Sequence, residues 1–210
     1  MPRTAACKPA GPGRPKDLAK RAAILDAAKR LFVQQGFDRV SMDQVAAEAG
    51  VSKLTVYSHF GDKDRLFAEA VRAHCEQGMP TRLFEPDPQV PLRDRLLEIA
   101  QAFFAMVMNP EAIAGHRILC SPQVATSHMP AMFWEAGPQC VQDAFAALLR
   151  RRIAAGELDI DDPDRAASHF FALLKGEPHA RAVLGCPTDA PAQAHLASVV
   201  ELFLRAYGRR

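Results

Sequence analysis

The sequence predicts an all-α protein, with a small N-terminal head and a larger C-terminal helical bundle. Apolar residues recur at three- and four-residue steps along most of the 210 residues, which is the spacing of one helix face. Pro, Asp or Gly stand at the boundaries of these patterns, as they do at helix ends. No segment shows the alternation of apolar and polar residues that marks a strand. These boundaries predict about nine helices, the first three of them in the head.

Residues 1–16 are rich in Pro, Gly, Ala and basic residues, and we expect a flexible basic arm without a core. Within it, Gly13, Arg14 and Pro15 resemble the centre of an AT-hook, where an arginine enters the narrow minor groove of DNA. Arg14 and Lys16 are therefore candidate minor-groove contacts. A plain flexible tail is the alternative, because a three-residue match recurs by chance.

Residues 17–66 are predicted to form the head. Apolar residues such as Leu25, Ala28 and Phe32 follow a helical spacing over 17–35, and Gly36 ends that helix as a C-cap. This first helix carries no reactive or ligand-binding pattern. We expect it to hold the following segment in place.

Residues 41–67 predict two short helices joined by a tight turn, followed at once by a third helix start. Ser41 can cap the first short helix, with Gln44 completing a capping box. Gly50 lies in the turn, Ser52 can cap the second short helix, and Asp62 can cap the third. Two helix starts so close together leave room for one short helix and a turn, which is a helix-turn-helix.

The second short helix, 52–60, has two faces of different character. Val56 and Phe60 fall on one side and are expected to be buried. The opposite side carries Leu54, Thr55, Tyr57 and Ser58. An apolar side chain and a phenol are unusual on a solvated face but suit a major groove, where thymine methyls, base edges and phosphates are available. An ordinary helical hairpin is the alternative. The candidate DNA contacts of the head are Ser41, Ser52, Lys53, Leu54, Thr55, Tyr57, Ser58, His59 and Lys63.

Residues 18–67 resemble the DNA-binding domain of TetR/AcrR-type transcriptional regulators, through 24–52, 55–60 and 62–67. The resemblance implies that the helix starting at Ser52 is the recognition helix. It places Leu54 and Thr55 near bases, with Leu54 standing where the family often has Gly or Ala. It also implies contacts with the sugar-phosphate backbone by Ser41, Lys53, Tyr57, His59 and Lys63.

Charge is distributed unevenly along the chain. Residues 1–65 hold 12 Lys and Arg against 7 Asp and Glu, a net charge of +5, whereas residues 66–210 hold 14 against 17, a net charge of −3. A basic N-terminal part on a mildly acidic body suits contact with a polyanion at one end only.

Residues 67–210 are predicted to form a helical effector-binding and dimerisation domain. A proline-rich loop at 79–91 precedes helical patterns at 91–109, 110–122, 138–156, 162–176 and 191–208, with an interrupted segment around 123–138. Neither a phosphate-binding loop nor a G-x-S-x-G or H-E-x-x-H motif occurs. The histidines lack ligand spacing, so we expect no metal, no cofactor and no enzymatic activity. The five cysteines have no paired spacing, and we expect reduced, buried thiols.

Large, adaptable apolar residues cluster in the middle of this domain, where they indicate either ordinary core or a cavity for an apolar ligand. Arg117 is a candidate partner for an acidic ligand group, with a structural salt bridge as the alternative. In the TetR/AcrR family the middle helices enclose an effector pocket, and 133–138, 161–167 and 173–185 resemble the AefR-like branch. The candidate pocket residues are His74, Phe103, Phe104, Met106, Arg117, Phe133 and Trp134.

The last two helical patterns carry apolar stripes that are wide for a monomer's surface helices. The resemblance implies that these helices form a four-helix interface between two subunits, which would place two recognition helices on a palindromic operator. The candidate interface residues are Phe170, Phe171, Leu174, Leu196, Val199, Val200, Phe203 and Leu204.

Together these patterns predict a cytoplasmic homodimeric DNA-binding regulator, a repressor that a small apolar effector releases from double-stranded DNA. No stretch reaches the 18 apolar residues that a membrane helix needs. Two alternatives stay open. One is an architectural or activator DNA-binding protein without an effector, which a solid, filled body would favour. The other is an enzyme with a helical body, which an acid/base or metal cluster in a cleft would favour.

Overall fold

A computed structural model of the chain describes residues 17–87, 89–186 and 191–209. These residues form eleven α-helices, one 3-10 helix at Thr81–Leu83 and, apart from one isolated bridge between Leu158 and Gly208, no β-structure. The all-α prediction is confirmed. The head holds α1 (Leu18–Gln35), α2 (Met42–Glu48), α3 (Lys53–Phe60) and the start of α4 (Lys63–Gly78). The body holds α5 (Leu92–Met108), α6 (Pro110–Leu119), α7 (Pro122–Ala125), α8 (Met129–Ala136), α9 (Pro138–Ala154), α10 (Pro163–Leu184) and α11 (Ala192–Tyr207).

The helix starts of the head follow the predicted caps. The Ser41 side chain accepts from the Gln44 backbone N–H at 3.2 Å, and the Gln44 side chain accepts from the Ser41 N–H at 2.8 Å, which completes the capping box. Ser52 caps α3 and Asp62 caps α4 through the same type of bond. Because each cap uses groups only three residues apart, these boundaries are local properties of the sequence.

The head has its own hydrophobic core. Three phenylalanine rings pack with centroids 5.3–5.7 Å apart. They belong to Phe32 of α1, Phe37 of the following loop and Phe67 of α4. This core continues past residue 66 along α4 to Ala70, and it includes Met129 of α8. The body therefore contributes a side chain to the core of the head.

The second core lies among α5, α9, α10 and α11. Phe145, Phe170 and Phe203, from α9, α10 and α11, are each at most 2% exposed, and their rings pack 4.8–6.3 Å apart. The helices α6, α7 and α8 lie between this bundle and the head. The segment around 123–138, predicted only as interrupted, forms the short helices α7 and α8, which raises the helix count above nine.

Helix α10 is longer than the predicted 162–176 pattern. Gly176 adopts non-helical angles (φ 42°, ψ −150°) and the helix then continues to Leu184. Pro178 lies two residues beyond the break, where its missing N–H costs no helical hydrogen bond. Gly176 therefore kinks the element instead of ending it.

Most of the residues predicted to form a dimer interface do not lie on the protein surface. Seven of the eight are buried in the core of a single protomer, and Leu204 is half-buried. Their stripes are wide because α10 packs on α5 and α9 of its own chain, and α11 packs on α5. They are thus not available as a contact surface. The large apolar side chains that α10 and α11 do expose are Leu173, Leu184 and Leu202.

No single helix in the described ranges is long and apolar enough to cross a bilayer, although α5 and α6, bent by 66°, reach that length and composition as a pair.

The expectation of buried cysteines is wrong for most of those described, because Cys120, Cys140 and Cys186 are exposed and only Cys75 is partly buried. All four are free thiols.

Candidate DNA-reading helix and effector cavity

The outer face of α3 presents the predicted residues to solvent. Leu54 is 79% exposed and Tyr57 is 42% exposed, while Val56 and Phe60 on the inner face are at most 4% exposed. Ser52, Lys53 and Ser58 are also exposed, and Thr55 is half-buried. An exposed leucine at the centre of a short helix suits an apolar contact with a base edge.

Hydrogen bonds orient the hydroxyl groups on this face. The hydroxyl oxygens of Ser52 and Thr55 lie 2.8 Å apart, and the Ser52 hydroxyl also accepts from the Thr55 N–H at 3.2 Å. The Ser58 hydroxyl donates to the Thr55 carbonyl at 2.8 Å. The Thr55 side chain is therefore oriented by Ser52, and the Ser58 hydroxyl is bonded to the backbone of α3.

The two candidate lysines, at the first positions of α3 and α4, already have partners within the head. Lys53 pairs with Asp43 of α2 at 2.8 Å, and this hydrogen bond raises the pKa of the lysine. The Lys63 ammonium donates to the Phe37 carbonyl at 3.0 Å and lies 4.3 Å from the Phe37 ring centroid. Each ammonium retains further N–H donors for a phosphate. Lys63 also supports the structure of the head, which the sequence did not indicate.

The remaining candidate DNA contacts lie in different parts of the chain. Ser41 is exposed at the start of α2, and His59 is half-buried near the end of α3, with its ring 6.0 Å from that of Phe60. Arg14 and Lys16, the candidate minor-groove contacts, lie outside the described residues.

A cavity of about 380 Å³ lies where the head meets the body. It is walled by α1 and α4 on the head side and by helices α5, α6, α8, α9 and α10 on the body side. The lining is predominantly apolar, with a few polar groups, which is the usual composition of a small-molecule site. The lining residues are Lys29, Phe32, Val33, Phe67, Ala70, Val71, His74, Cys75, Phe103, Met106, Val107, Glu111, Ala112, Gly115, His116, Ile118, Leu119, Met129, Phe133, Trp134, Pro138, Val141, Gln142, Ser168, Phe171, Ala172, Lys175 and His179.

Five of the seven predicted pocket residues line this cavity: His74, Phe103, Met106, Phe133 and Trp134. The other two do not. Phe104 is buried on another side of α5, with its ring centroid 6.0 Å from that of His195. Arg117 donates to the carbonyls of Val183 and Ala182, both at 2.7 Å, near the C-terminal end of α10. Its partners are the terminal carbonyls of a helix, which attract a cation, and not a ligand acid.

Several cavity residues were missed from the sequence. Phe32 and Phe67 belong to the head, where their spacing indicates only core. His116 of α6 and His179 of α10 lie far apart in the chain, yet their ring centroids are 5.0 Å apart. No local pattern signals such a pair, because it depends on how α6 and α10 pack.

Burial and like charge depress the basicity of these side chains. Burial, together with His116 and Lys175, lowers the pKa of His179 to about 4. Burial also lowers the pKa of His116 and of Lys175. Elsewhere in the cavity, burial raises the pKa of the Cys75 thiol to about 11, which makes it a poor nucleophile at neutral pH. Over the described ranges, no group of three or more His, Cys, Asp or Glu is placed to hold a metal ion.

Helix α4 connects the DNA-reading face with the cavity wall. It begins two residues after α3 ends, and its Val71, His74 and Cys75 line the cavity. At the junction of α8 and α9, Gly137 approaches so closely that a Cβ there would lie 2.8 Å from Val71 Cγ1 and 2.9 Å from Cys75 Sγ. A molecule in the cavity would therefore contact the helix that follows α3.

Comparison with known proteins agrees with this architecture. Residues 24–70 match "Bacterial regulatory proteins, tetR family", and residues 94–209 match "AefR-like transcriptional repressor, C-terminal domain". The HTH-type transcriptional activator FasR of Mycolicibacterium smegmatis is 28% identical over 149 residues, which cover 69% of this chain and 67% of that protein.

Solved structures resemble the whole chain. The flavonoid-responsive regulator FrrA is 31% identical, with a TM-score of 0.71 over 92% of this chain and 100% of that one. A TetR transcriptional regulator from Agrobacterium tumefaciens is 27% identical, with a TM-score of 0.72 over 91% of this chain and 95% of that one. With matches to both domains and over nearly the full length, the chain belongs to the TetR family of DNA-binding transcriptional regulators, which are not enzymes, and carries an AefR-like C-terminal domain.

Proposed function

We propose that this regulator is a cytoplasmic homodimeric repressor that a small, largely apolar effector releases from a palindromic operator. The observation that carries the proposal is the cavity of about 380 Å³ shared by head and body. An effector bound there contacts α4, which begins directly after the recognition helix. It releases DNA if it binds better to a conformation in which the two heads are misplaced for the operator.

The cavity also bears on the alternative of a DNA-binding protein without an effector. A purely architectural protein needs no internal space, and close packing is the usual state of a protein interior. Here an apolar cavity interrupts the packing between the two cores. The relative FrrA, which is named flavonoid-responsive, supports an organic effector for this chain as well.

A dimer is supported by the exposed leucines of α10 and α11. Apart from Trp134 at the cavity, the large apolar side chains that the body exposes are Leu173, Leu184 and Leu202. All three lie on the last two helices of the chain, and exposed apolar surface is a common feature of interfaces. The DNA head supplies one recognition helix per chain, so two chains are needed to read a palindrome.

Activation instead of repression is the second candidate function. The relative FasR is named a transcriptional activator. The two functions share the DNA contacts and the cavity, and they differ in whether operator binding blocks or recruits RNA polymerase. In vitro transcription from the bound promoter, with and without the protein, distinguishes them.

The experiment uses an operator selected from random DNA and measures affinity by fluorescence anisotropy, with and without a panel of flavonoids and simple aromatic compounds. We expect a palindromic operator, and a compound that lowers operator affinity at least about tenfold. Gly115→Phe is the test variant, because Gly115 lines the cavity and nothing lies within 4 Å of where its Cβ would stand.

The phenylalanine should fill the cavity, so the variant should bind the operator normally and ignore the compound. Compounds that bind without changing operator affinity would contradict release by an effector. A non-palindromic operator bound by one chain would contradict the dimer.

A further inference from the structure

One end of the cavity carries three basic side chains close together. Lys175 and His179 come from α10, one on either side of the kink at Gly176, and His116 comes from α6. The rings of His116 and His179 meet edge to face, with centroids 5.0 Å apart. All three side chains line the cavity.

Within the described ranges, no counter-ion lies beside these three side chains. Among the described residues, none of the three makes a side-chain hydrogen bond or an ion pair, and the side chain of His179 is only 7% exposed. A buried polar group without a partner is costly, and most such groups in proteins are paired. A basic cluster that faces a cavity and has no acidic partner is the arrangement expected of an anion-binding site.

The other charged groups that line the cavity are paired, exposed or close to an opposite charge. Lys29 of α1 pairs with Asp26 at 3.1 Å and donates to the Gln77 side chain at 3.0 Å. Glu111 of α6 is exposed and, together with Lys29, influences the titration of His74. The ammonium of Lys29 is therefore already paired, and His74 has the Glu111 carboxylate nearby.

We propose that Lys175, His116 and His179 form an anion subsite, and that the effector is a carboxylic acid with an apolar body. The inference rests on the effector cavity proposed above and adds its ligand class. The carboxylate would accept charge-assisted hydrogen bonds from the basic cluster. The apolar body would lie against the side chains of α5 and α8, among them Phe103, Met106 and Phe133.

The pKa shifts of the basic cluster agree with this assignment. Burial is the largest cause of the low pKa of each group, and the neighbouring charges lower the pKa of His116 and His179 further. A bound carboxylate would raise all three pKa values, since an opposite charge favours the protonated form. Binding should therefore take up protons on the histidines and strengthen as pH falls from 8 to 6, where a free carboxylic acid stays ionised.

The charged side chains next to the cluster on α6 and α10 are bonded elsewhere. Arg117 donates to the Val183 and Ala182 carbonyls, and Arg181 pairs with Glu177 at 3.2 Å. The parts of α5, α8 and α9 that line the cavity carry no charged side chain, and α9 contributes Gln142. On α11, the ring of His195 is engaged with the Leu174 carbonyl at 3.0 Å. The remaining titratable lining groups are Lys29, His74, Cys75 and Glu111.

The test compares acids with their neutral carboxamides, which have nearly the same shape: benzoate, 2-naphthoate and decanoate, each against its amide. Binding to the full chain is measured by calorimetry, and fluorescence of Trp134, the one tryptophan of the sequence, reports entry into this cavity. We expect at least one acid to bind about ten- to a hundredfold more tightly than its amide, as for hydrogen bonds to charged groups.

Lys175→Met should remove most of this preference and leave amide binding in place, because the methionine keeps the apolar length of the side chain. The variant should fold at least as stably as the wild type, since it loses an unpaired, partly buried charge. Lys20→Met, an equal charge change at an exposed site on α1, controls for net charge. His179→Gln should reduce the pH dependence of acid binding.

The possible failures are distinguishable. Acid and amide binding equally, or a preference that survives Lys175→Met and is lost in Lys29→Met, would overturn the anion subsite and leave the effector cavity standing. Binding of none of the three pairs, while a neutral compound of the flavonoid panel binds, would overturn the subsite alone. Failure of both sets of compounds would overturn the effector cavity as well.

Discussion

Thr55 and Tyr57 occupy different positions on the recognition helix, and their side chains should contribute differently to DNA binding. Thr55 is half-buried and its hydroxyl is oriented by Ser52, which suits a fixed contact with one base edge. The hydroxyl of Tyr57 is at the end of a partly exposed ring and suits a phosphate.

Replacing these two residues should therefore have different effects: one on the affinity for any DNA and the other on the preference for particular bases. Tyr57→Phe should weaken binding about three- to tenfold on all sequences, the loss of one hydrogen bond. Thr55→Val should change the preference at one base position. Anisotropy against the selected operator and a set of single-base variants measures both effects. Equal behaviour of the two variants across that set would contradict the assigned positions.

His179 should make stability depend on pH. Its pKa is about 4 in the folded protein and about 6.5 in the unfolded chain, so the unfolded state binds the proton more readily between these values. Without a ligand, the free energy of unfolding should fall as pH drops from about 6.5 to about 4 and then level off.

Urea unfolding at pH 7.5 and 5 measures this contribution. The wild type should lose about 1–2 kcal/mol more than His179→Gln between these two pH values. The same loss in both proteins would mean that His179 titrates normally when folded.

At the scale of elements, α4 is the connection between cavity and DNA. Its side chains belong to the head core, line the cavity and pack on the junction of α8 and α9. A displacement of α4 against the body should therefore alter the position of the head, and with it the spacing of two recognition helices in a dimer.

Gly137→Ala tests this connection. The added methyl group would lie 2.8 Å from Val71 Cγ1 and 2.9 Å from Cys75 Sγ. These side chains of α4 must give way, at a cost of about 1–3 kcal/mol, and we expect α4 to move with them. We expect a lower melting temperature and weaker operator binding at a temperature where the variant is fully folded. Gly115→Ala is the matched control, because its methyl group meets nothing within 4 Å. Normal operator affinity in folded Gly137→Ala would show that α4 does not transmit the displacement.

At the scale of the whole molecule, adjacent residues of α11 should respond in opposite ways to a charge. Leu202 is 51% exposed, whereas Phe203 is 2% exposed in the core of its own protomer. Phe203→Glu would bury an unpaired carboxylate at a cost of several kcal/mol and should unfold the chain. Leu202→Glu should leave the chain folded, convert the dimer into monomers and lower operator affinity.

Sedimentation and circular dichroism of both variants check this prediction. A folded Leu202→Glu protein that still sediments as a dimer would place the interface on another surface. A stable, dimeric Phe203→Glu protein would contradict the packing of α11.

The head was largely predictable from the sequence, because its signals are local. The caps at Ser41, Ser52 and Asp62 bond to groups three residues away, and the buried face of α3 follows from helical spacing alone. The exposed Leu54 and Tyr57 were identified for the same reason.

The body depended on tertiary structure. Apolar periodicity shows that a helix face is covered, but the same stripe results whether its own chain or a partner covers it. Residues such as Phe203 were therefore assigned to an interface and lie in the core instead. The sequence thus determined the family, most of the helices and which face of α3 is exposed. Only the packing of α6 against α10 brought His116, Lys175 and His179 to one end of the cavity, because contacts between distant segments are set by how helices pack and not by local spacing.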